Sequence, residues 1–171
     1  MQTGPFRDTP ASRCAFYRRI AGLAAGVDPN TGRITVLAGS VWGLGMPAHF
    51  GHQVREELRR HRYASGPIVS YPRSRTWTFL VRPDLPDSPA LFAQLYRAGV
   101  AAYGHGRVIA LPSPADRPPA MRHWVEQPRG SFRPSAAAVI AAISRCLPAR
   151  AIDLSLLGAA AGGCAQARRA R

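Results

Sequence analysis

The chain has 171 residues, 46% of them apolar, enough for one domain with a core of its own. Its formal charge is +14, from 23 basic and 9 acidic residues, and every basic one is arginine. Its 3 cysteines, Cys14, Cys146 and Cys164, stand far apart without a CxxC pair, which leaves no basis for a zinc ribbon, a dithiol redox centre or a disulfide framework.

Residues 1–13 are polar, carry Pro5 and Pro10, and read as a loose arm with no apolar core for a signal peptide. A short helix is expected over 14–25, with Phe16, Tyr17, Ile20 and Leu23 on one side. Asp28-Pro29-Asn30-Thr31-Gly32 is a turn, and the strand after it, 33–37, alternates through Ile34 and Val36. A strand over 41–46 precedes a helix that Pro47 opens and that runs to about residue 62. Phe50, Val54 and Leu58 recur on its dry side, and Arg55, Glu56, Arg59 and Arg60 take the wet side. Gly66-Pro67 stops that helix. Strands over 68–71 and 76–81 flank the turn Pro72-Arg73-Ser74-Arg75, and the second strand puts Trp77, Phe79 and Val81 on one face.

Ser88 as cap and Pro89 at the first helical position start the next helix, whose stripe is Leu91, Phe92, Leu95 and Tyr96 and whose end is marked by Gly99. Residues 100–103 and 107–111 read as a hairpin closed by Gly104-His105-Gly106. A Pro-rich loop over 112–119 follows. The last helix begins after Ser135, buries Val139, Ile140, Ile143 and Leu147, and ends at Pro148. One domain over 14–148 is therefore expected, with a disordered Ala/Gly/Arg-rich tail over 149–171. The longest apolar stretch, 154–163, is too short and too rich in Gly and Ala to span a membrane, so the expected compartment is the cytoplasm. The order strand, helix, strand, strand, helix, strand predicts an α+β fold. It is the split βαβ arrangement of ferredoxin-like folds, shared by RNA-recognition domains and polymerase palms. One sheet face would lie under the helices. The other would be open to a ligand or covered by the extra terminal elements.

Gly66-Pro67-Ile68-Val69-Ser70, a turn, and Arg75-Thr76-Trp77-Thr78-Phe79-Leu80 make one suggestive stretch. Arg107-Val108-Ile109-Ala110-Leu111-Pro112-Ser113-Pro114, followed by Arg122-His123-Trp124, makes another. Together they resemble the primase-polymerase-like domains of actinobacterial and plasmid proteins, the bifunctional DNA primase/polymerase N-terminal type, over residues 40–145. The resemblance implies a palm-type fold and a nucleic-acid ancestry. In that family the first palm strand carries paired acids that hold divalent ions, and a later strand carries a His. Here Val41-Trp42-Gly43-Leu44-Gly45-Met46 has no acid, and Trp77 stands where the His would be. The resemblance therefore carries over no polymerase activity, catalytic residue, metal or cofactor.

Other constellations fall short of a site. Asp84, Asp87 and Asp116 offer three carboxylates, but Asp87 suits a helix start. Glu56 and Glu57 suit pairing with Arg59 and Arg60. His49 and His52 lie three apart without a further ligand. Ser113 and His123 lack a nucleophile elbow, and Gly43-Leu44-Gly45-Met46-Pro47-Ala48 lacks the lysine of a phosphate loop. The arginines carry the stronger signal. Arg73 and Arg75 lead into Trp77; Arg107 opens a strand; Arg122, Trp124, Arg129 and Arg133 cluster near Phe132. Guanidinium groups beside rings suit single strands, with charge for phosphate and faces for stacked bases. Arg73, Arg75, Trp77, Arg107, Arg122, Trp124, Arg129 and Arg133 are thus the expected contacts for nucleic acid, DNA before RNA. The competing expectation for the rings is the core, where large aromatics usually sit. The expected function is non-catalytic nucleic-acid binding with a regulatory or replication-associated role. The alternatives are an adaptor domain with a protein partner and a divergent nucleotidyltransferase.

Overall fold

Local signals start and stop most elements in the computed structural model, which describes residues 8–119, 121–149 and 151–158. Helix α1 (Pro10–Arg19) begins earlier than expected because Thr9 and Ser12 form a reciprocal capping box ahead of Pro10. The expected arm is therefore helical from Pro10, and residues 1–7 lie outside the described residues. Strand β1 (Ala25–Val27) was not anticipated. It turns into β2 (Ile34–Leu37) through Asp28, whose Oδ1 accepts from the backbone N–H of Asn30 and Thr31. Strand β3 (Trp42–Pro47) feeds α2 (Ala48–Arg60), and β4 (Ile68–Tyr71) and β5 (Thr76–Val81) form a hairpin. Helix α3 (Pro89–Arg97) is capped by Ser88 Oγ, which accepts from Leu91 N–H, and closes at Gly99 with φ +75. Strands β6 (Ala101–Tyr103), β7 (Val108–Leu111) and β8 (His123–Glu126), helix α4 (Ala136–Arg145) and a 3-10 helix (Leu154–Leu157) follow among the described residues.

Five strands form an antiparallel sheet in the order β6-β3-β5-β4-β8. Its first four strands with α2 and α3 are the split βαβ arrangement that the element order predicts, and β8 extends the β4 edge. Leu44, Met46, Ile68, Phe79 and Val81 point to the helices. There they meet Phe50, Val54 and Leu58 of α2, Leu91 and Leu95 of α3, and Val139, Ile140 and Ile143 of α4. On α3 the stripe is narrower than expected: Phe92 is half-buried and Tyr96 is 80% exposed.

The expected hairpin over 100–111 does not form. Strand β6 pairs with β3, whereas β7 pairs with β2 in a second, three-stranded sheet ordered β1-β2-β7. Ala38 diverts the chain: it donates to Arg107 O and accepts from Gly106 N–H, so the turn hands β7 to β2. Ile109 and Leu111 then join Ile34, Val36, Cys14, Tyr17 and Leu23 in a second core, closed by Val69 and Leu80 from the back of the large sheet. Both faces of the five-stranded sheet are therefore covered, one by helices and one by the small sheet with α1. The tail expected from 149 is ordered at its start. Ile152 is 4% exposed in the first core, and Asp153 N–H bonds Gln94 Oε1 of α3 at 2.8 Å. Ile152 in the core, with Leu156 and Leu157 packed against it, carries the packed region past 148 to 157, and residues 159–171 lie outside the described ones.

Candidate nucleic-acid interface

Four of the expected contacts are structural. Trp77 faces the helices, packed on Gly51 of α2, with its ring centroid 6.3 Å from that of His52. Trp124 faces the second core; its Nε1–H donates to Tyr17 Oη at 2.9 Å, and the two rings meet edge to face at 5.6 Å. Arg122 pairs with Asp116 at 2.6 Å, both side chains nearly buried. Arg133 is buried and donates to the carbonyls of Gly130, Phe132 and Ala21, and burial lowers its pKa. These guanidinium groups bind the protein's own oxygens and have little left for phosphate.

The other four, Arg73, Arg75, Arg107 and Arg129, are exposed but do not gather. Arg73 and Arg75 sit on the β4–β5 turn at one end of the sheet, and Arg129 follows β8 at the opposite end, beyond Glu126 and its neighbour Ile68. Arg107 stands just before β7, in the smaller sheet rather than in this one. No single strand of nucleic acid is met by all four on one surface.

The sheet face that a palm would use is filled. A side chain at Gly45 would meet the Tyr103 ring at 2.7 Å, and one at Gly43 would meet Thr78 at 2.9 Å and Ile109 at 3.1 Å. A gap of about 200 Å³ survives there between Tyr71, Thr78, Tyr103 and β7, and no charged side chain lines it. Tyr71 seals it by donating to Ala110 O at 2.7 Å, and burial pushes its pKa up to about 12. The remaining polar candidates are engaged elsewhere. Ser113 Oγ donates to Gly32 O at 2.6 Å, while His123 is exposed on β8. Asp84 accepts from Ala136 N–H at 2.8 Å at the start of α4, and His49 and His52 are exposed. Among the described residues no three His, Cys, Asp or Glu side chains are arranged to hold a metal ion.

Charge and exposed rings meet at a different place. Beyond the C-terminal half of α2, a cavity of about 470 Å³ lies between Arg55, Arg59 and Tyr63 on one side and Glu126, Arg129 and Phe132 on the other. An adjoining cavity of about 420 Å³ shares Tyr63 and Phe132 and continues past Leu58, Arg82 and Pro134. Tyr63 is 55% and Phe132 57% exposed, so neither ring is committed to the core. Arg55 Nε lies 3.4 Å from Glu126 Oε2, a contact between opposite charges without hydrogen-bond geometry. Arg59 lies 3.5 Å from Glu56, and Arg129 has no ion-pair partner among the described residues. Of the expected contacts only Arg129 lines the larger cavity; Arg133 lines the adjoining one, with its guanidinium already bound to backbone carbonyls. In the sequence Arg55 and Arg59 lie on the wet side of a helix, and nothing singles out Tyr63. The spacing of four between Arg55 and Arg59 is the signal that could have found those two, since it stacks side chains along one line of a helix; Tyr63 lies past the end of α2, after Arg62 with φ 58, and no periodicity marks it.

No family model, curated protein or solved structure matches this chain. No helix among the described residues is long and apolar enough to cross a membrane.

Proposed function

We propose that this chain binds single-stranded nucleic acid, DNA in first place, in the groove between α2 and the 127–134 segment, and performs no chemistry on it. The carrying observation is the meeting of Arg55, Arg59 and Arg129 with two exposed rings, Tyr63 and Phe132, around one cavity. Arginines neutralise backbone phosphates, and exposed rings stack on bases that only a single strand presents freely. The +14 charge draws a polyanion to the surface before it finds the groove. The role is regulatory or replication-associated, in the cytoplasm. The resemblance to primase-polymerase domains enters as ancestry: a palm-type sheet whose working face was closed by a second sheet, with binding moved to a new edge.

Fluorescence anisotropy with single-stranded DNA, duplex DNA and RNA at two salt concentrations tests this. Three phosphate contacts predict a slope of about −2 in log affinity against log salt for a single strand. Tyr63→Ala and Phe132→Ala each weaken binding by about 1–3 kcal/mol. Equal affinity for the duplex, or no loss in either ring variant, argues against the groove as the site.

A further inference from the structure

Glu126 is out of place in a groove built for phosphate. It is the only acidic residue lining the larger cavity, at the end of edge strand β8. Both of its polar contacts, Arg55 Nε at 3.4 Å and Ser65 Oγ at 3.5 Å, fall on Oε2. Oε1 has no partner among the described residues, and the side chain is 36% exposed. One carboxylate oxygen is therefore tethered while the other stays available at the cavity wall. A carboxylate repels phosphate, yet it accepts well from an amino group on a base, as when Glu takes the N4 amino hydrogen of cytosine. The positive charge of Arg55 and the hydroxyl of Ser65, both on Oε2, favour this placement of the carboxylate.

We propose that Glu126 makes the groove selective among bases, favouring those with an exocyclic amino group over thymine and uracil, which present a carbonyl there. The proposal rests on the single-strand reading above and adds a specificity to it. Thymine's O4 facing Glu126 Oε1 sets two acceptors against each other, an arrangement that costs affinity because neither group keeps its water. Cytosine at the same position donates one hydrogen bond.

The test compares short oligodeoxycytidine with oligodeoxythymidine, both pyrimidines of similar stacking area, by anisotropy at low and moderate salt. The native chain is expected to bind the cytidine strand at least roughly fivefold more tightly. In Glu126→Gln that ratio falls towards one, because an amide donates to O4 as readily as it accepts from N4. Glu126→Ala, checked by circular dichroism for folding, likewise loses the ratio while gaining overall affinity, since a repelling charge has gone. Equal binding of the two strands by the native chain, or a preference that survives both substitutions, overturns the assignment of Glu126 and leaves the groove intact. Failure of both strands to bind at low salt removes the single-strand reading itself, and this proposal with it.

Discussion

Tyr17 ties the two halves of the second core together, and removing its hydroxyl measures how firmly the small sheet closes the large one. The side chain is 0% exposed. Its hydroxyl donates to Pro112 O at 2.8 Å and accepts from Trp124 Nε1–H at 2.9 Å. Tyr17→Phe keeps the ring and its 5.6 Å edge-to-face contact with Trp124, so packing is nearly unchanged. What changes is that a buried carbonyl and an indole N–H lose their partner. An unsatisfied buried group costs about 1–3 kcal/mol. Trp124 is only half-buried and recovers part of its loss through water, so the expected destabilisation is about 2–4 kcal/mol. In a domain of this size that lowers Tm by roughly 5–12 °C. Urea titration followed by tryptophan fluorescence should show a lower midpoint at unchanged slope. Single-strand affinity at a temperature where both forms are folded should not move. A loss under about 0.5 kcal/mol would refute the placement of Trp124 as a structural ring locked onto α1.

Arg122→Ala strands Asp116 in a nearly buried position and should cost about 3 kcal/mol in denaturant titration, with no effect on the salt slope of nucleic-acid binding. Gly45→Asp, which puts an acid on the palm-type strand, should destabilise by about 2–4 kcal/mol by driving Tyr103 aside, and should confer no nucleotidyl transfer in a primer-extension assay. Tyr71 ionises near 12 when folded and near 10 when unfolded, so the unfolded chain gives up its proton first. Its contribution is whole below pH 10 and is lost as pH rises towards 12. Denaturation across that window should reveal a loss approaching about 2 kcal/mol that Tyr71→Phe lacks.

The element order was readable because its signals are local. Phe50, Val54 and Leu58 announce a helix face, and Ser88-Pro89 announces a helix start, without reference to the rest of the chain. The split of β6 from β7 was not readable, because Gly104-His105-Gly106 suits a tight hairpin equally well. Only the distant Ala38, bonding Gly106 and Arg107 at the exit of that turn, decides otherwise. The same distinction governs the site. Arg133 reads as free in the sequence because the acceptor that buries it, Ala21, lies 112 residues away, although Gly130 and Phe132 nearby also accept from it. Trp124 looked like a stacking ring because its partner, Tyr17, is 107 residues distant. Arg55 and Arg59 carry a readable spacing, but their use depends on β8 bringing Glu126 and Arg129 opposite them, which is a matter of strand pairing.

The most direct measurement is the salt dependence of single-stranded DNA binding by the native chain beside the double variant Arg59→Ala/Arg129→Ala. Losing two phosphate contacts should flatten the log–log slope by about 1.4 and weaken binding at low salt, while unfolding transitions coincide. Unchanged slopes, with the loss appearing instead in an Arg73→Ala/Arg75→Ala variant, would place the polyanion at the far end of the sheet and contradict the groove.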